Sequence, residues 1–255
     1  MTQPSIALET IGLTKTFHTT QPPTRVLDGI DFQVHAGEFV AIMGASGSGK
    51  STLLYAMSGM DRPSGGRVLL EGHDLTELSD DKMSRVRLTR MGFVFQQAHF
   101  LANLSIRDNI ALPALKARPG QTEQSLARVE ALLHRFEIAH VAHHGITEVS
   151  GGQLQRASIC RALAAEPAVV FADEPTGALN ASMTEEVMDV LSEVHADQTT
   201  MVMVTHDPGC AARADRIVYL RDGALVAERA WGGWQRAEAN QRHDEVLEWL
   251  RGWGF

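Results

Sequence analysis

The stretch FVAIMGASGSGKSTLL, Phe39 to Leu54, narrows what this chain can fold into more than any other. The apolar run FVAIM has the length of a buried strand, a loop of glycine and serine follows, and LLYAMSG can continue as a helix. Gly44 to Thr52 reads G-x-x-x-x-G-K-[ST] in the strand–loop–helix context that this pattern requires. Glycine lets the backbone approach phosphate oxygens closely, successive N–H groups point at the anion, and the helix N-terminus adds partial positive charge. Lys50 is placed to bridge terminal phosphates and Ser51 to ligate Mg²⁺. A flexible Gly/Ser turn is the competing reading, since the pattern arises by chance in roughly one chain of this length in a hundred.

A second chemical feature lies far along the chain. AVVFADEPTGALN is an apolar strand that ends in two carboxylates, Asp173 and Glu174. Neighbouring residues on a strand point to opposite faces, but at a strand's end the chain can turn, so both can serve one site. Asp173 suits a Mg²⁺ contact beside the phosphate loop, and Glu174 suits the positioning or deprotonation of water. Two solvated acids opening a turn before Pro175 are the alternative.

Strand patterns in SIALETIGL, IDFQV, EFVAIMG and GRVLLEG crowd the first third, and a helix is expected after Ser79 with Asp80 and Asp81 in its first turn. From Ala98 to about Ala165 the pattern is helical and reads as an inserted lobe. There, QTEQSLARVEALLHRF sets Leu126, Val129, Leu133 and Phe136 on one face, with Thr122 as the expected N-cap. Strands resume at AVVFAD, TTMVMVT and DRIVYL. Strands alternating with helices imply a largely parallel, covered sheet.

The conjunction of motifs resembles the ATP-binding cassette (ABC) ATPases. VSGGQLQR, Val149 to Arg156, is similar to that family's signature, with the phosphate loop before it and VVFADEPT after it. VFQ ending at Gln96 resembles the Q-loop, VTHD containing His206 resembles the switch histidine, and LTKTF places Phe17 at the adenine-stacking position. The resemblance runs to about Val226. It implies a P-loop NTPase core with a mostly parallel sheet, an N-terminal antiparallel β subdomain and an inserted α-helical subdomain at about 98–165. The ATPase domain would then span 1–229, with a tail at 230–255.

The resemblance also implies roles. Phe17 stacks the base; Gly44, Ala45, Ser46, Gly47, Ser48, Gly49, Lys50, Ser51 and Thr52 hold the phosphates of ATP. Ser51, Gln96 and Asp173 organise Mg²⁺, Glu174 activates water, and His206 contacts the γ-phosphate. Ser150, Gly151, Gly152 and Gln153 cap the γ-phosphate of ATP held by a second copy, so a head-to-tail homodimer is expected. The stretches LTELSDDKMSRVRLTRMGFVFQQAHFLANLSIRDNIALP and DEPTGALN look like the class of macrolide exporters and of lipoprotein-releasing, bacitracin-resistance and haem-efflux transporters. In that class the ATPase docks on a separately encoded integral membrane permease, which implies a cytoplasmic chain held at the inner face of the membrane. Division-associated relatives that regulate wall hydrolases are the rival reading.

Departures from the family pattern are Val149 for Leu, Phe17 for Tyr, and Asn180 where the D-loop usually carries Asp. Net charge is −8, which disfavours sequence-blind nucleic-acid binding. Cys160 and Cys210 match no metal or redox spacing and read as reduced core thiols. No signal peptide and no apolar run of bilayer length is visible. His140, His143 and His144 could bind zinc at helical spacing, but a solvated loop is the better reading. All four tryptophans lie in the tail, where Val246, Trp249, Leu250 and Trp253 recur at helical spacing. With three Arg against four Asp/Glu there, packing on the protein's own surface, a dimer mate or the permease is expected rather than a lipid surface.

Overall fold

The computed structural model describes residues 5–19 and 21–255. Strands β1 (Ile6–Phe17), β2 (Thr24–His35), β4 (Gly65–Leu70) and β5 (His73–Asp74) form an antiparallel sheet in the order β2-β1-β4-β5. A second sheet has the order β10-β9-β3-β8-β7-β6. It comprises β3 (Phe39–Met43), β6 (Met91–Phe95), β7 (Val169–Asp173), β8 (Thr200–Val204), β9 (Arg216–Arg221) and β10 (Ala224–Ala230). All its pairings are parallel except the hairpin β9–β10. The sheet is mostly parallel, as the sequence pattern implies.

Burial on both faces explains why the central strands read as unbroken apolar runs. Along β3, Phe39, Ala41 and Met43 face one buried cluster and Val40 and Ile42 the other. Strand β8 divides the same way, Met201 and Met203 against Val202 and Val204. One cluster lies between the two sheets around helix α1 (Lys50–Met57), which inserts Leu53, Leu54 and Met57 there. The other cluster lies under α3 (Ile106–Ala117), α4 (Thr122–Arg135), α5 (Gly151–Leu163), α6 (Ala181–Ala196) and the one-turn α7 (Pro208–Ala211). Helix α2 (Asp80–Arg90) starts as expected at Ser79 with Asp80 and Asp81 in its first turn. For α4 the N-cap is Gln121, not Thr122: Ser125 N bonds to Gln121 O, so Gln121 accepts the first helical bond and Thr122 is already inside.

The expected helical stretch over about 98–165 holds α3, α4 and α5. Its Ile110, Val129 and Phe136 belong to the same buried cluster as Met203 and Tyr219 of the sheet. The tail joins that cluster too. Helix α8 (Ala239–Arg251) buries Val246 and Leu250 completely, Trp231 packs edge to face on Trp249 with centroids 5.6 Å apart, and the Arg213 guanidinium lies 4.1 Å over Trp234. The tail packs on the protein's own surface. Cys160 and Cys210 are free and buried. Among the described residues, no helix is long and apolar enough to cross a membrane.

Candidate active site

Strand register gathers the chemistry. Ile42, Val204, Asp173 and Phe95 lie in one row across β3, β8, β7 and β6. The residues just beyond that row, Gly44, His206, Glu174 and Gln96, therefore leave from the same carboxyl edge, where open parallel sheets bind ligands.

The loop between β3 and α1 holds its shape through glycine. Gly44 has φ +154°, and a Cβ there would stand 2.1 Å from the Leu220 carbonyl oxygen, so no other residue fits. Gly49, the N-cap of α1, has φ +100° and lies against Val26 of β2. Of the loop's amides, Ser48 N bonds Ala45 O at 3.2 Å, whereas those of Gly47, Gly49, Lys50 and Ser51 have no backbone acceptor among the described residues. The buried Ser48 Oγ also lacks a partner. A buried donor without an acceptor is costly, and Ser48 Oγ together with the free amides around it points to an anion. Lys50 Nζ folds over the loop to the Gly44 and Ala45 carbonyls, 2.9 Å each. Burial lowers its pKa, while the charges of Glu174 and Asp173 pull the other way.

Asp173 is held at both oxygens. Ser51 Oγ donates to Oδ1 at 2.9 Å and the Tyr55 hydroxyl donates to Oδ2 at 2.7 Å. Tyr55 is absent from the sequence reading. The available signal was its position four residues after Ser51, on the same face of α1. Burial, then the bond to Asp173, raises the Tyr55 pKa to about 12, so it stays a donor.

The chain does turn at the end of β7. Glu174 has φ +48°, a left-handed conformation held by Glu174 N to Val204 O at 2.9 Å and Gly177 N to Glu174 O at 3.1 Å. Such strain in a non-glycine residue marks a position fixed by its surroundings. Its carboxylate Oε2 is 2.8 Å from His206 Nδ1. His206 precedes Asp207, whose carboxylate caps α7 at Gly209 N and Cys210 N. Gln96 is exposed, and its amide lies beside Gly177 rather than bonded to Ser51 or Asp173. Phe17, half-buried, pairs with Thr24 at the end of the β1–β2 hairpin, with the Lys15 ammonium 5.0 Å over its ring.

The third expected group sits apart from the loop. Ser150 caps α5: its Oγ accepts Gln153 N at 3.2 Å, and Gln153 Oε1 accepts Ser150 N at 2.9 Å. Gly151 and Gly152 lie against Leu179 and Met183. Met183 follows Asn180, the N-cap of α6. Ser150 to Gln153 thus bond within their own turn and border the segment after Glu174. Among the described residues, no group of three or more His, Cys, Asp or Glu is placed to hold a metal ion, so His140, His143 and His144 form no such cluster.

A model of the ABC transporter family matches residues 27–177. The chain belongs to the ABC transporter family. It is 43% identical over 225 residues to the macrolide export ATP-binding/permease protein MacB 2 of Aeromonas hydrophila, covering 88% of this chain and 34% of that protein. The chain spans about a third of the length of the curated relatives it matches. Its fold is similar to the dimeric post-hydrolysis structure of the ATP-binding cassette MJ0796 bound to ADP and Pi. That match has a TM-score of 0.81 and 35% identity, over 89% of this chain and all of that one. It is also similar to cbiO1 of Clostridium perfringens, part of the transporter complex cbiONQ, with a TM-score of 0.79 and 26% identity over 96% and 94% of the two chains. The domain is an ABC ATPase cassette, an ATP-hydrolysing enzyme of the P-loop type.

Proposed function

We propose that this chain is the motor domain of a membrane transporter. Two copies pair head to tail around two ATP molecules and drive an integral membrane permease of the exporter or mechanotransmission kind. The observation that carries the reading is the convergence of Ser51, Asp173, Glu174 and His206 at one sheet edge beside a loop with unpartnered amides. The printed role of the MacB relative, an export ATP-binding/permease protein, supports export; the cbiO1 complex supports a membrane partner. Such a chain works at the inner face of the membrane, held there by the permease.

Each residue then has a task. Phe17 stacks on adenine. The amides from Gly44 to Thr52 receive the β- and γ-phosphates, which draw Lys50 from its own loop carbonyls. The hard oxygen donors Ser51 Oγ and Asp173 Oδ1, 2.9 Å apart, fit Mg²⁺, with Gln96 completing the set. When bound, that ion supplies positive charge against the phosphate oxygens. Tyr55 holds Asp173 in place from behind. Glu174 takes the proton of the attacking water, and His206, bonded to Glu174 Oε2, orients the carboxylate and meets the γ-phosphate. Ser150 to Gln153 approach the γ-phosphate from the opposite copy, where the first turn of α5 offers free N–H groups.

A positioned base contributes roughly a hundredfold to ten-thousandfold in rate, so Glu174→Gln should lower ATP turnover at least about a hundredfold while ATP still binds. Turnover near that of the wild type would remove Glu174 from the role.

A further inference from the structure

The histidine-bearing segment HVAHH forms no metal site, yet one of its members touches the cassette signature. His140 lies in a single 3-10 turn, Ala139–Val141, that follows α4, and its Nε2 is 3.2 Å from Gln153 Nε2. Two nitrogens at hydrogen-bond distance require that one of them present a lone pair. The primary amide nitrogen of glutamine only donates, so the acceptor is the imidazole. His140 must therefore carry its proton on Nδ1 and leave Nε2 bare.

The orientation of Gln153 is not free either. Its Oε1 accepts Ser150 N at 2.9 Å, one half of the capping box that closes the first turn of α5. With the oxygen accepting from Ser150 and one amide hydrogen given to His140, the second amide hydrogen is the donor that the side chain keeps free. Ser150 Oγ is likewise used as an acceptor, by Gln153 N at 3.2 Å, which leaves its hydroxyl hydrogen to point elsewhere. The free hydrogens of this turn, on Gln153 Nε2 and Ser150 Oγ, are the donors that an anion requires.

We infer that His140 is a positioning residue that fixes the polarity of the signature turn. By accepting from Gln153 Nε2 it keeps the amide from reversing. The reversed amide would strip Ser150 N of its acceptor, set a carbonyl oxygen against His140 Nε2 and remove the free amide hydrogen on that side. The inference deepens the reading of Gln153 as a γ-phosphate partner in trans and rests on it. It is carried by the hydrogen-bond pattern of three side chains, and the required property of residue 140 is a hydrogen-bond acceptor, not an imidazole as such.

The test compares three substitutions at this exposed position in full-length protein that also carries Glu174→Gln, so that bound ATP is not turned over. ATP-driven dimerisation is measured by light scattering across a Mg-ATP titration, and folding by thermal melting. His140→Gln retains an acceptor at similar reach and should dimerise within about twofold of the Glu174→Gln parent. His140→Lys offers donors only and should need about tenfold more ATP or protein, with His140→Leu between them and all melting midpoints alike. His140→Lys dimerising like the parent, or His140→Gln failing as badly as His140→Lys, overturns the inference while leaving the dimer intact as a reading. A parent that stays monomeric at saturating ATP overturns the head-to-tail reading itself, and this inference with it.

Discussion

The amide oxygen of Asn180 accepts the Met183 N–H at 3.0 Å, so this side chain starts α6 where the segment beginning at Asp173 ends. In the sequence, Asn180 stood out as the loss of a charge that the family usually keeps. The structure gives it a second task, which Asn and Asp perform about equally well. We expect Asn180→Asp to hold stability within a few tenths of a kcal/mol and ATPase activity within an order of magnitude, whereas Asn180→Ala should cost about 1 kcal/mol in urea unfolding. A stability loss in the Asp variant as large as in the Ala variant would show that the cap is not its task. The sequence carries the signal for this cap, since Asn180 directly precedes an amphipathic helical pattern. Asp173, Glu174 and Ser51 were legible because their chemistry requires those residue types at those spacings. Tyr55 was not, because a hydroxyl that orients a carboxylate belongs to no fixed pattern.

Single elements are tied together by bonds that no short window of sequence contains. The far end of α6 carries His195, whose Nε2 lies 3.0 Å from Asp215 Oδ2, and the same carboxylate oxygen accepts Phe39 N at the start of β3 at 2.9 Å. Burial alone would lower the His195 pKa; the bond to Asp215 and its charge outweigh burial and raise it. Asp215 is lowered, since His195 and the Phe39 amide together overcome the opposite effect of burial. A raised histidine contributes stability that is complete below its unfolded pKa of about 6.5 and is lost as pH rises through the folded value. The depressed Asp215 contributes above its own unfolded value and loses that only in acid. Unfolding free energy should therefore decline from pH 6 upward more steeply in the wild type than in His195→Gln, as urea titrations at a series of pH values would show. Parallel slopes would mean that the pair contributes nothing. The hairpin β9–β10 was missed for a different reason. Asp222 and Gly223 both have positive φ, at +50° and +76°, the Asp-Gly turn that joins two strands, but the strand after it, ALVAERA, carries mixed residues at half-buried and exposed positions.

At the scale of the whole molecule, the parallel sheet and the helical stretch were legible because period and order are properties of the chain, whereas the antiparallel sheet followed only from the family resemblance. The placement of the tail was not legible, since amphipathic spacing says that a face is covered without saying by what. The same logic applies to the signature turn, which in one chain borders Leu179 and Met183 while the phosphate loop opens at the sheet edge. If each ATP site takes its loop from one copy and its signature turn from the other, two different defects can be sorted into separate sites. Lys50→Ala removes the phosphate-bridging cation, and Ser150→Glu sets a carboxylate where the γ-phosphate of the partner's ATP arrives. Each variant alone has both sites defective, and each should be nearly inactive. Mixing them in equal amounts makes about half of the dimers mixed, and every mixed dimer has one site with Lys50 from one copy and Ser150 from the other, so activity should recover to about a quarter of wild type. If a chain instead completed its own site, each mixed dimer would keep one defect in both sites and no activity would return.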